Sequence, residues 1–131
     1  ANDVQQLCTF RKTDVFPAFE DYARENRRYG IVLCDPPPFA PSRKDVEAGA
    51  RAYRKLARMA ASLVAPEGFL MLASCSHNMT RERFSAECAA GLARAGRRAR
   101  LVHEGGAGAD HPVHPQLPET AYLKALIYAL D

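Results

Sequence analysis

Apolar positions along the chain switch between two periods, and the switches outline helices alternating with strands. Leu7-Cys8-Thr9-Phe10 is a short apolar run compatible with a strand. Over residues 14–28, Val15, Phe16, Phe19, Tyr22 and Ala23 recur at helical spacing, with Pro17 tolerated in a first turn. Ile31-Val32-Leu33-Cys34 predicts a buried parallel strand, stopped where Asp35-Pro36-Pro37-Pro38 withdraws the N–H groups a ladder needs. Residues 42–65 predict the longest helix, capped by Ser42 or Asp45. Its apolar stripe is Val46, Ala50, Tyr53, Leu56, Ala60 and Leu63, and Arg51, Arg54, Lys55 and Arg58 fall mostly on another face. Pro66-Glu67-Gly68 predicts a turn, and Phe69-Leu70-Met71-Leu72-Ala73 a second buried strand that stops at Ser74-Cys75-Ser76-His77. Thr80 suits the N-cap of a helix to about Ala95, with Phe84, Cys88 and Leu92 inward and Gly96 ending it. Residues 100–103 and 121–130 predict two further strands around a Gly/Pro/His-rich loop at 105–118. The alternation implies an α/β domain with a mainly parallel sheet.

Composition narrows this picture only a little. With 131 residues, 47% hydrophobic and 25% charged, the chain is one domain or part of one and does not read as disordered. No apolar run approaches the ~18 residues of a membrane-spanning helix. A net charge of +3, carried mostly by arginine, is compatible with nucleic acid without demanding it. The four cysteines show no CxxC pair, which favours a reducing, cytoplasmic setting over a disulfide framework. Residues 1–6 are polar and lack an initiator methionine, so the expectation is a fragment of a larger domain.

Candidate chemistry collects at strand ends, where open α/β sheets bind ligands. If the two buried strands are neighbours, Asp35 and Cys75 face one cleft. Asp35 reads either as a cap in a rigid proline loop or as an acid that binds and protonates a polar heterocycle. Cys75, between two serines and near His77, reads either as a small buried hydrophobe or as an activated nucleophile. Cys8, Cys34 and Cys88 sit at apolar periodic positions and are expected in the core. The spacing of Cys75, His77, His111 and His114 matches no common zinc pattern, so no metal is expected. Arg94, Arg97, Arg98 and Arg100 form either a solvated face or an RNA backbone contact.

The order of motifs resembles one family. Asp14-Val15-Phe16, Cys34-Asp35-Pro36-Pro37-Pro38-Phe39, Ser74-Cys75-Ser76-His77, Asp110-His111-Pro112 and Tyr122-Leu123-Lys124 together look like the catalytic half of the bacterial 23S ribosomal RNA large-subunit cytosine-C5 methyltransferases. The resemblance runs from about residue 6 onward. It implies a Rossmann-like class I methyltransferase domain with helices on both faces, S-adenosylmethionine as cofactor and ribosomal RNA as partner. It matches Cys75 to the nucleophile that attacks C6 of the cytosine, and Asp35 to the acid on N3. Pro36, Pro37, Phe39 and His77 fall around the target base, which must leave its stack. Asp14 and Phe16, with Asp35, fall around the cofactor. Another base specificity, such as guanine N7, or a non-catalytic RNA- or partner-binding module are the alternatives; a covalent nucleophile counts against guanine N7.

Two departures matter. Pro38 stands where relatives often carry lysine, serine or alanine, and the family's glycine-rich cofactor loop has no counterpart before Asp14. Residues 1–131 are therefore expected to be the carboxyl-terminal portion of the methyltransferase domain, binding the cofactor weakly or not at all alone. The first strands being absent, one edge of the strand at 31–34 should be bare. That edge is expected either to form a homodimer or to pair with Leu7–Phe10.

Overall fold

The computed structural model describes residues 2–131; Ala1, at the head of the polar opening, lies outside the described residues. The elements are α1 (Val15–Arg24), β1 (Tyr29–Cys34), α2 (Val46–Ala61), β2 (Val64–Ser74), α3 (Arg81–Arg94), β3 (Ala99–Gly105) and β4 (Lys124–Leu130). The four strands form one sheet in the order β1-β2-β4-β3. β1 and β2 are parallel neighbours, in register at Ile31↔Phe69, Leu33↔Met71 and Cys34↔Leu72. A parallel pair requires a crossover, and α2 supplies it. β4 is antiparallel to both β2 and β3.

The α/β class read from the sequence is the observed one, but two details of the layering differ. Only the β1–β2 pair is parallel, because β4 enters the sheet from the opposite end through the long loop after β3. The helices also cover one face rather than both. Cys34, Leu70, Leu72, Leu126, Tyr128 and Leu130 meet the buried stripe of α2 and the inward Phe84, Cys88 and Leu92 of α3, and Phe16 and Phe19 of α1 pack against the same cluster. On the opposite face Ile31 is 64% and Leu33 67% exposed, and Phe69, the partner of Ile31 across the strands, is exposed beside them. This apolar face is bare because no helix among the described residues lies over it.

Helix ends follow the local chemistry. Asp14 caps α1 by accepting the Phe16 amide at 3.1 Å, and Thr80 caps α3 by accepting from Arg83. α3 stops before Gly96, whose φ of +68° an L-side chain adopts only with strain. α2 is the exception: neither Ser42 nor Asp45 caps a backbone N–H. The two side chains bond each other, and a single 3₁₀ turn, Arg43–Asp45, leads into the helix. α2 and α3 approach so closely that a Cβ on Gly91 would meet the Arg54 carbonyl at 2.6 Å.

Further expectations are corrected. Leu7-Cys8-Thr9-Phe10 is not a strand: a 3₁₀ turn at Gln5–Leu7 gives way to irregular chain, and Phe10 is 92% exposed. It does not pair with β1, which among the described residues is an edge strand with β2 alone beside it. Cys8 is consequently exposed, whereas Cys34 and Cys88 are buried as expected. The predicted turn at 66–68 lies inside β2 as a bulge, with Glu67 at φ +60° and a break in register between Tyr29 and Ile31.

Candidate active site

The carboxyl ends of β1 and β2 lie side by side, so the loops that leave them share one edge of the sheet. β1 ends with buried Cys34, and the next residue, Asp35, emerges exposed at the head of three prolines. A cavity of about 440 Å³ opens here, lined by Asp14, Phe16, Phe19, Asp35, Pro36 and Phe39 among others. Phe16 from α1 stacks on Phe39 with centroids 6.5 Å apart, and Lys55 Nζ sits 4.5 Å from the Phe16 ring centroid. Phe39 in turn packs on Tyr53 at 4.8 Å. The cavity thus offers aromatic walls with carboxylates at its rim.

The loop after β2 is held by buried hydroxyl groups. Ser74 Oγ donates to the Tyr53 hydroxyl at 2.8 Å, and that hydroxyl shares a second 2.8 Å bond with Ser76 Oγ. Ser76 Oγ also accepts the Ala40 amide at 3.1 Å, at the far end of the proline loop. Asn78 Nδ2 donates to the carbonyls of Ala40 and Pro41. The two loops are thereby fixed to each other, chiefly by the buried hydroxyls of Tyr53, Ser74 and Ser76, and an unmade bond among these would cost about 1–3 kcal/mol. Between Ser74 and Ser76, Cys75 is half-buried and its Sγ donates to the Pro36 carbonyl at 3.8 Å.

Lys124, at the start of β4 and opposite Ser74, closes the site from behind. Its ammonium is buried and donates to the carbonyls of Ser76 (3.0 Å) and Tyr122 (2.7 Å). Burial, with Arg81 nearby, holds its pKa below the ordinary lysine value, and the proximity of Cys75 acts the other way. Among the other cysteines, burial pushes the Cys34 thiol up to about 12 and the Cys88 thiol higher still, which keeps both protonated at neutral pH.

Of the residues singled out in the sequence, the fold brings Asp14, Phe16, Asp35, Pro36, Pro37 and Phe39 to one cavity, with Cys75 against Pro36. His77 follows Cys75 in the same loop and is exposed. Asp110, His111 and His114 lie on the exposed loop between β3 and β4. Among the described residues no three His, Cys, Asp or Glu side chains cluster as metal ligands would. The arginine cluster divides: Arg97 is spent on the carbonyls of Ala61, Val64, Ala65 and Asp131, and Arg98 pairs with the Asp131 carboxylate.

Tyr53 is unmarked in the sequence as part of the site, and Ser76 and Lys124 stand there only within motifs, without a role of their own. Tyr53 read as one more member of an apolar stripe, and nothing local marks where its hydroxyl goes. Lys124 did leave a signal: strict alternation along β4 puts it in phase with buried Leu126, Tyr128 and Leu130.

Comparison with known proteins adds the following. The chain is 35% identical over 118 residues to ribosomal RNA large subunit methyltransferase I of Tolumonas auensis, covering 90% of this chain and 30% of that protein. The protein of the same name from Pseudoalteromonas atlantica is 33% identical over 129 residues, covering 95% and 33%. The chain therefore spans about a third of the length of these curated relatives. Among solved structures, a protein described as a methyltransferase, in complex with S-adenosylhomocysteine, superposes with a TM-score of 0.73 at 24% identity over 89% of this chain and 30% of that one. A second, described as an S-adenosylmethionine-dependent methyltransferase from Streptococcus mutans, gives 0.72 at 22%, covering 89% and 29%. These two likenesses show the fold. No family model matches the chain.

Proposed function

We propose that this chain is the catalytic, carboxyl-terminal portion of an S-adenosylmethionine-dependent methyltransferase of large-subunit ribosomal RNA, acting in the cytoplasm. In this reading it methylates C5 of a cytosine through a covalent adduct with Cys75. The relatives named above support the ribosomal RNA methyltransferase part of the reading. One observation carries the chemistry: Cys75 Sγ lies 3.8 Å from the Pro36 carbonyl, so the thiol and the Asp35 loop share one edge beside the aromatic cavity.

The residues lining the cavity fit an adenine nucleoside. Phe16 and Phe39 give a ring a flat apolar wall, and one Asp14 oxygen remains for an exocyclic amine while the other caps α1. The cofactor, when bound, supplies a methyl group on a positively charged sulfur. The steps then follow from this chain's own groups. The Cys75 thiolate adds to C6 of the flipped base, and the electron pair of the C5=C6 bond moves toward N3, where Asp35 donates a proton. C5, now electron-rich, takes the methyl group. Loss of the C5 proton to a base and of the N3 proton back to Asp35 restores the double bond and expels the thiolate, so Cys75 is regenerated. In this reading the Pro36 carbonyl, which accepts from the thiol in the resting site, also accepts from the exocyclic amine of the same base. A guanine-N7 reaction needs no thiol at this place.

The test uses an RNA carrying 5-fluorocytosine at the target, in which the C5 position has no proton to lose. The full-length enzyme with cofactor should form an adduct that survives denaturation and maps by mass spectrometry to Cys75. Methyl transfer to a natural substrate with undiminished rate by Cys75→Ala would overturn the C5 reading.

A further inference from the structure

A lysine is almost never fully buried without a carboxylate or other strong partner, since removing an ammonium from water is costly. Lys124 is 5% exposed, and its two hydrogen bonds go to neutral carbonyls, those of Ser76 and Tyr122. The acidic groups of its surroundings are committed elsewhere. Glu104 on β3 pairs with Arg81 at the start of α3, and Arg81 is itself a second positive charge near Lys124. What does lie beside the ammonium is the carbonyl of the Ser76–His77 peptide, one residue on from Cys75, and Cys75 is the group near it that can turn negative. The carbonyl bonds fix the ammonium in place at the base of the Cys75 loop, and β4 hydrogen-bonded to β2 makes that placement rigid.

We infer that Lys124 is a positioning residue for Cys75: it holds the loop by the Ser76 carbonyl and sets a fixed positive charge beside the sulfur at the moment of attack. The inference rests on the reading of Cys75 as nucleophile. A charge held in a water-poor site acts more strongly than one in solvent, because the low dielectric does not screen it. Lys124 is not among the residues lining the cavity, which come from α1, β1, the proline loop and α2.

Alkylation of the cysteine measures this without RNA. Cys34 and Cys88 are buried, so in a Cys8→Ser background Cys75 is the accessible thiol. The rates with negatively charged iodoacetate and neutral iodoacetamide are compared in the folded chain and in urea. The folded chain should favour iodoacetate by about fivefold more than the unfolded chain does, because the fixed charge attracts the anionic reagent. Lys124→Met should remove most of that preference, and Lys124→Arg should keep it. If Lys124 were only a clamp, Lys124→Met would loosen the loop and speed both reagents alike, with the ratio unchanged. An unchanged ratio overturns the inference, as does the absence of any folded-state preference in the parent, which needs no variant to fold. Adduct formation with RNA is untouched by either failure, so the two readings fall separately.

Discussion

The Cys75 thiol donates to the Pro36 carbonyl across the seam between two parallel strands, 39 residues apart in sequence and 3.8 Å apart in space. Nothing in either tetrapeptide fixes that distance. It arises because β1 and β2 are adjacent, and because Ser76 binds both Tyr53 and the Ala40 amide. On the proposed function, Cys75→Ala should reduce methyl transfer by about a thousandfold or more, the scale on which loss of a nucleophile acts. Cofactor affinity should stay within error. Single-turnover methyl transfer together with calorimetry of cofactor binding separates the two effects.

Tyr53→Phe keeps the ring between Phe39 and Phe84 and removes only the hydroxyl that serves Ser74 and Ser76. Two buried hydroxyls then lose a shared partner, at a cost of about 1–3 kcal/mol. Urea unfolding should show a lower midpoint with unchanged slope. Cys75 should also become more variable in its alkylation rate as the two loops part.

Stability should fall in acid through Glu87. Burial raises its pKa, but hydrogen bonds from Arg83 and Arg54 outweigh that and hold it below the ordinary 4.5. A carboxyl depressed in the folded state contributes stability above its unfolded pKa, and that contribution is lost as pH falls through the folded value. Thermal melts should therefore be flat in this respect from neutral pH down to about pH 5 and decline below it. Glu87→Gln should lower stability at neutral pH and flatten the acid limb. A parent and variant with parallel acid limbs would show that another group is responsible.

Among the described residues no strand lies beside the outer edge of β1, and Ile31 and Leu33 lie exposed on the bare face next to it. An open apolar edge associates with whatever offers a complementary strand. The isolated chain should form a homodimer through β1, with sedimentation mass rising with concentration. Leu33→Lys should shift it back to monomer while leaving the melting temperature nearly unchanged. A parent that sediments as a monomer throughout would remove the homodimer from consideration.

The sequence by itself determined the elements and their chemistry. Periodicity marked α1, α2 and α3 within a few residues, because a helix that buries one face must repeat its apolar residues. Thr80 announced the start of α3 because capping is local. The proline run after Cys34 and the polar run after Ala73 marked where strands end, and so where a site belongs. Leu7–Phe10 shows the limit of that reasoning: four strand-compatible residues make a strand only when a neighbour supplies hydrogen bonds, and among the described residues none does. The tertiary structure alone decided which strands are neighbours, that the helices cover a single face, and that Tyr53, Ser76 and Lys124 hold Cys75 against the Asp35 loop. Those outcomes depend on contacts between residues 21 to 48 positions apart. A local pattern records which face a residue prefers and leaves open what it will meet there.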